Sequence, residues 1–198
     1  FTSIAQTDMK KMVAYSSIGH MGFILLAAAA ATPLSILGVV FQMVSHGLIS
    51  AMLFLLVGLV YSKTGTRDIT VLRGLLNFER GMPIVGTLMV TGVMASAGMP
   101  GMMGFISEFL IFRGSLPVFP VQTLLSMIGT GLTAVYFLLL VNRTFFGRLS
   151  EQFSNLPKVE WSERLPAFGL AILIVLLGLQ PSLMVRWSEI TTTAMVYP

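Results

Sequence analysis

Three side chains in this 198-residue sequence can take up and release protons and also stand inside apolar runs: His20, His46 and Glu108. The other acids, Asp8, Asp68, Glu79, Glu151, Glu160, Glu163 and Glu189, fall in connectors or near a terminus. Glu108 lies within "SAGMPGMMGFISEFLIF", shortly after a Gly-Met-Pro-Gly break. An ionised acid at bilayer depth costs at least about 2.5 to 3.5 kcal/mol, so such groups face other helices or water and commonly serve transport. Imidazole exchanges protons near neutral pH, and the three groups together suit a proton relay. The plainer reading is that the carboxyl clamps two helices and that backbone carbonyls satisfy the histidines.

The neighbours of these groups add to the pattern. Gln42, His46 and Ser50 recur every four residues and should share one helix face, as should Ser16 and His20. Each histidine is then flanked by hydroxyl or amide groups that can hold water or pass a hydrogen bond, or that simply join helices. In the break, Pro100 removes an amide donor, while Gly98 and Gly101 permit non-helical dihedrals. Non-helical backbone at membrane depth is tolerated where it is buried in protein or lines a water-filled cavity. Gly101, Gly104 and Glu108 are expected on one face, leaving room beside the carboxyl; the alternative is an ordinary proline kink.

What must position these residues is a set of membrane helices. The chain is 55% hydrophobic and only 10% charged, against about 25% charged in soluble domains. The fold class is therefore all-α and integral to the membrane, with about five spans near residues 12–31, 34–61, 83–112, 121–141 and 166–179. The third span is discontinuous at Gly98 to Gly101. Thr7 or Asp8 can cap the first span and Pro33 closes it. Between the second and third spans, Ile69, Leu72, Leu75 and Leu76 fall at helical spacing among charges, predicting an interfacial helix over about 69–79. Residues 142–165 read as a polar cytoplasmic loop anchored by Phe145, Phe146 and Trp161.

Charge placement orients the spans. Lys10, Lys11, Lys63, Arg67, Arg73, Arg80, Arg143, Arg148, Lys158 and Arg164 fall on one side, and only Arg113 and Arg186 on the other. The positive-inside bias puts the first group in the cytoplasm and the C-terminus outside or in a lumen. There is no cysteine, which excludes thiolate-held iron-sulfur clusters, Cys-type zinc sites and disulfides within these residues. The opening "FTSIAQTDMKKM" has neither a start methionine nor a signal-peptide layout, so the sequence reads as part of a longer chain.

Three ordered stretches, "AQTDMKKMVAYSSIGHMGF", "MVSHGLISAMLFLLVGLVYSKTGTRD" and "GMPGMMGFISEFLIF", closely resemble the C-terminal part of subunit 4 of type I NADH dehydrogenase, the antiporter-like membrane subunit of complex I. The resemblance covers essentially the whole sequence. Members have about fourteen transmembrane helices, so these residues would correspond to helices ten to fourteen. The resemblance implies that Glu108 is the protonation site on the broken twelfth helix, and that His20 and His46 belong to a central hydrophilic axis. Lys10 would match a basic residue of a "TDxKR" motif, with Lys11 replacing the usual arginine. It implies coupling of quinone reduction to proton pumping, with neighbouring antiporter-like subunits and the lipid bilayer as partners and no nucleic acid. Quinone, iron-sulfur clusters and any nucleotide or ferredoxin site would lie in other subunits. "VNRTFFGRLS" and "KVEWSERLPA" look more like cyanobacterial and plastid chains than enterobacterial ones, which points to a thylakoid protein and to a variant serving CO2 uptake. The related alternatives are a cation/proton antiporter subunit and a membrane-bound hydrogenase subunit; the unrelated one is a non-pumping scaffold.

Overall fold

Asp8, not Thr7, starts the first helix: its carboxylate accepts from the Lys11 amide at 3.0 Å, occupying one of the orphan donors of the first turn. The computed structural model describes residues 1–196. Helix α1 runs Met9–Ala30 and ends at Ala31 with a positive φ of 48°. Helix α2, Pro33–Thr64, begins in a capping box in which Thr32 and Ser35 satisfy each other's amides. The interrupted span follows as α3, Pro83–Ser96, and α4, Met103–Ser115. Helix α5 covers Pro120–Thr144, α6 covers Trp161–Leu179, and α7 covers Ser182–Val196. Four of these, α1, α2, α5 and α6, are long and apolar enough to cross a membrane. End to end, α3 and α4 supply a fifth crossing.

Helix α2 is the pillar of the bundle, packing against α1, α3, α4, α6 and α7. Its closest partner is α4. The two backbones meet through paired glycines: a Cβ at Gly38 would lie 2.8 Å from the Ile111 amide nitrogen, and one at Gly114 would strike the Ser35 backbone. Small residues at such crossings let membrane helices approach and gain packing contact, the main attraction left where lipid removes the hydrophobic drive between them. This contact sets the height of α4 against α2, and hence the height of Glu108.

The two ends of the bundle differ in charge. At one end the bridge between Asp8 and Asp68, the Lys63–Glu163 ion pair at 2.8 Å, and the Leu75 amide bonded to the Thr144 carbonyl tie the start of α1, the end of α2, the start of α6 and the end of α5 together. At the other end Thr32 Oγ1 donates to the Gly114 carbonyl at 3.0 Å. The tied end carries the ten-residue basic group identified in the sequence.

Residues 65–82 do not form the interfacial helix that their spacing predicted. They are a chain of turns with Ile69, Leu72 and Leu75 buried in the main core. Side chains compete for the backbone throughout: Asp68 accepts from both the amide and the hydroxyl of Thr70, and Asn77 accepts from the amides of Glu79 and Arg80. Those bonds from Thr70 hold the Asp68 carboxyl below its ordinary pKa range. Gly74, at φ 72°, turns the strand-like segment so that Leu75 and Leu76 bond the 144–145 backbone.

Two further expectations about the connectors change. Phe145 is 1% exposed and fills the core beside Gly86, so of the three aromatic anchors only Phe146 and Trp161 are exposed. Helix α7 was not foreseen, because "SLMVRWSEITTTAMV" is short and mixes polar with apolar residues. It packs through Met184 on Leu37, Phe41 and Met103. The position expected for the C-terminus itself falls on residues 197–198, outside the described residues.

Candidate functional site

The break that precedes Glu108 is a full helix stop. Gly98, at φ 73°, sits just past the C-cap Ala97; its amide bonds Ala95 O at 3.3 Å, and the Met99 amide reaches back to Met94 O at 3.1 Å. This is the Schellman arrangement, and it needs a residue free to adopt the left-handed conformation at Gly98. Pro100 is exposed and only follows the stop, so the span is not a proline kink. The second glycine, Gly101 at φ 89°, lies before α4. It therefore does not share a helical face with Glu108, whereas Gly104, one turn before Glu108, does.

The stop leaves a gap that Glu108 fills. Glu108 is 4% exposed, and a Cβ on Gly98 would come within 2.8 Å of its Oε2. Gly98 thus serves twice, by reversing the backbone and by leaving space for a carboxylate. Thr130 of α5 lies beside the same carboxyl, but its hydroxyl makes no well-formed bond to any protein group.

His20 stands where the two half-helices meet. Its Nε2 is 3.2 Å from Ser96 Oγ at the end of α3, and its Nδ1 is 3.1 Å from Gln42 Nε2 on α2. The same Nδ1 is 3.9 Å from Glu108 Oε1 on α4. Each ring nitrogen thus has one polar partner, from α3 and from α2 respectively. His46 completes the group with its ring centroid 5.0 Å from that of His20. His20, Gln42, Ser45, His46, Ser96 and Glu108 line a cavity with about 10 Å³ of room for water centres, roughly the space of one water molecule.

The remaining sequence candidates fall elsewhere. Gln42 serves His20, not the histidine one turn along its own helix. Ser50 bonds the His46 carbonyl of its own backbone at 2.5 Å. Ser16 donates to Val13 O at 2.6 Å and faces Tyr136 across the α1–α5 contact. Lys10 and Lys11 are exposed at the start of α1, with Lys11 about 13 Å along the helix from His20. They are not part of the cluster.

Ser45, Ser96, Thr130 and Tyr136 were not singled out in the sequence. Ser96 had a signal, since it directly precedes the helix stop. The others occupy apolar helices whose partners only the packing reveals. Replacing Ser96 by Ala removes the partner of His20 Nε2 and is expected to cost about 0.6 kcal/mol, the average for interhelical bonds in membranes, and at most about 1.7 kcal/mol. Thermal melting of the purified protein in its complex would read this loss. Among the described residues there is no group of three or more His, Cys, Asp or Glu side chains able to hold a metal ion.

The chain belongs to the NADH:quinone oxidoreductase/Mrp antiporter transmembrane family, whose model matches residues 1–133. It is 38% identical over 181 residues to NADH-quinone oxidoreductase subunit M of Escherichia coli (strain K12), covering 90% of this chain and 35% of that one. It is also 38% identical over 200 residues to NAD(P)H-quinone oxidoreductase chain 4 1 of Synechococcus elongatus, covering 98% of this chain and 37% of that one. Respiratory complex I from Thermus thermophilus with bound NADH contains a similar chain, with a TM-score of 0.90 and 28% identity over 98% of this chain and 40% of that one. The sequence thus spans little more than a third of the two relatives it matches.

Proposed function

We propose that this chain is part of a proton-translocating membrane subunit of an NAD(P)H- or ferredoxin-linked quinone oxidoreductase. Glu108 loads and releases protons, and His20 and His46 relay them. The observation that carries this reading is the placement of His20: its ring bridges both halves of the broken helix and faces Glu108 at 3.9 Å. Each proton moved against 100 mV costs about 2.3 kcal/mol. With no cysteine in these residues, the reading assigns iron-sulfur clusters to other subunits, along with quinone and the electron donor. The chain's work is then to turn a charge change in a neighbouring subunit into proton movement.

Membership of a family whose relatives include subunits of quinone oxidoreductases supports this assignment. The ten Lys and Arg residues gathered at one end support a cytoplasmic location for that end, with a lumen or periplasm opposite. A cyanobacterial, thylakoid origin is supported by the alignment to the Synechococcus chain, which extends over 98% of the sequence against 90% for the Escherichia chain. Identity is equal in the two, so the polar loop passages carry that preference. The narrower reading, a variant for CO2 uptake, rests on those passages alone.

The family also includes Mrp antiporters, which gives the cation/proton antiporter reading a specific footing. The two separate in vesicles containing the purified complex. Quinone reduction is expected to drive proton uptake into the vesicles, with no flux on adding sodium alone. Sodium-dependent proton flux in the absence of any quinone partner would instead establish the antiporter.

A further inference from the structure

Helix α3 starts with donors that nothing in the protein satisfies. Pro83 brings no amide, the Gly86 amide bonds Met82 O at 2.9 Å, and no side chain caps this end. The amides of Ile84 and Val85, in between, therefore have no acceptor among the described residues. Val85 is 1% exposed, so an acceptor must come from the cavity that both residues line.

That cavity, of about 170 Å³, lies between the starts of α3 and α6, and the charged side chains lining it, Lys158 and Arg164, are both cations. Lys158 is exposed and forms no ion pair among the described residues. The Arg164 guanidinium has five N–H donors. It donates to the Val159 carbonyl and lies over the Trp161 ring at 5.4 Å, while its buried Nε has no partner. The acid beside it in sequence, Glu163, is turned to Lys63 at 2.8 Å and to the Glu160 amide at 2.7 Å. Four donor groups short of acceptors thus share one cavity, and their chemistry is that of a site for an anion with several oxygens.

We propose that this cavity binds the phosphate of an anionic phospholipid. It stands at the basic end of the bundle, where α6, long and apolar enough to cross a membrane, begins; that is the headgroup depth of one leaflet. Trp161, Leu165, Ile172 and Leu176 give α6 an exposed apolar stripe leading away from the same end, with the tryptophan at the level where such rings anchor in the interface. A free phosphate would meet the same donors but has nothing to lay along that stripe. Basic pockets between membrane helices on the cytoplasmic side bind anionic headgroups in this way. Lys158 and Arg164 supply the charge and the α3 amides place the phosphate oxygens, whereas a choline headgroup would set its own cation against Lys158. No residue of the relay cluster takes part, so the site is independent of the pumping assignment.

The test is photolabelling of the intact complex in phosphatidylcholine nanodiscs, with a phosphatidylglycerol carrying a diazirine near its headgroup, followed by mapping of the labelled peptides. Label is expected on residues 81–85 and 158–165, competed by unlabelled phosphatidylglycerol and not by added phosphatidylcholine. Lys158→Gln, at an exposed position, is expected to raise the half-competing fraction of phosphatidylglycerol about fivefold, the effect of one cation beside an anionic lipid, and Lys158→Arg to restore it. Label absent from both segments, equal competition by phosphatidylcholine, or an unchanged Lys158→Gln overturns the proposal. Displacement of the label by inorganic phosphate would give the cavity to the free anion, and a carbodiimide cross-link from Lys158 to a neighbouring subunit would give it to a protein carboxylate; either result overturns it as well.

Discussion

Glu108→Gln in the full-length protein is expected to abolish most proton pumping, lowering its rate on the order of a hundredfold or more, the low end of what a positioned proton donor contributes. The substitution keeps the volume and planarity of the side chain, so the gap beside Gly98 stays filled and α4 stays in place. It removes only the exchangeable proton. Assembly should be normal, and the effect appears as a loss of protons moved per quinone reduced in reconstituted vesicles. A variant that assembles normally and pumps undiminished would leave the buried carboxyl as a helix clamp and would favour the scaffold reading.

Gly104→Ala is expected to damage the same site by a different route. The Cα of Gly104 rests against the Ala95 carbonyl oxygen, and a Cβ there would strike it. That oxygen belongs to the backbone and already accepts from the Gly98 amide at 3.3 Å, so it has no side-chain torsion by which to yield. One added methyl must push α4 away from the end of α3, at a cost of about 1 to 3 kcal/mol from overpacking. Glu108 lies one turn further along α4 and moves with it. Both the melting temperature of the complex and proton pumping should fall. Gly58→Ala is the matching control, since a Cβ at Gly58 meets nothing within 4 Å. If Gly104→Ala melted like Gly58→Ala, the tight seat of α4 on α3 would not be what holds Glu108 in place.

The sequence exposed those parts of the site that are expensive in a membrane. A buried acid, two histidines and a Gly-Met-Pro-Gly break each stand out because hydrocarbon penalises them, and the structure gathers His20, His46 and Glu108 around one cavity. Partnerships between helices were less legible. Helical periodicity pairs Gln42 with His46, but the α1–α2 contact hands it to His20, and nothing along one helix records which neighbour its face will meet. Periodicity also failed at 69–79, where Ile69, Leu72 and Leu75 are spaced as in a helix but are buried by turns. There Asp68, Asn77 and Gly74 outweighed the apolar pattern. Thr130 and Ser45 stayed hidden because a hydroxyl in an apolar helix ordinarily bonds its own backbone.

The full stop at Gly98 also isolates rotational phase. In a continuous helix every residue inserted or deleted upstream turns everything beyond it by about 100°, so a change in α3 would swing Glu108 off the face that meets His20. Because α3 terminates in its own hydrogen bonds and α4 starts again at Met103, the six residues 97–102 can absorb such a change. The orientation of the carboxyl is then set by where α4 seats, on α2 at Gly38 and Gly114 and on the end of α3 at Gly104, and not by helical continuity with the first half of the span.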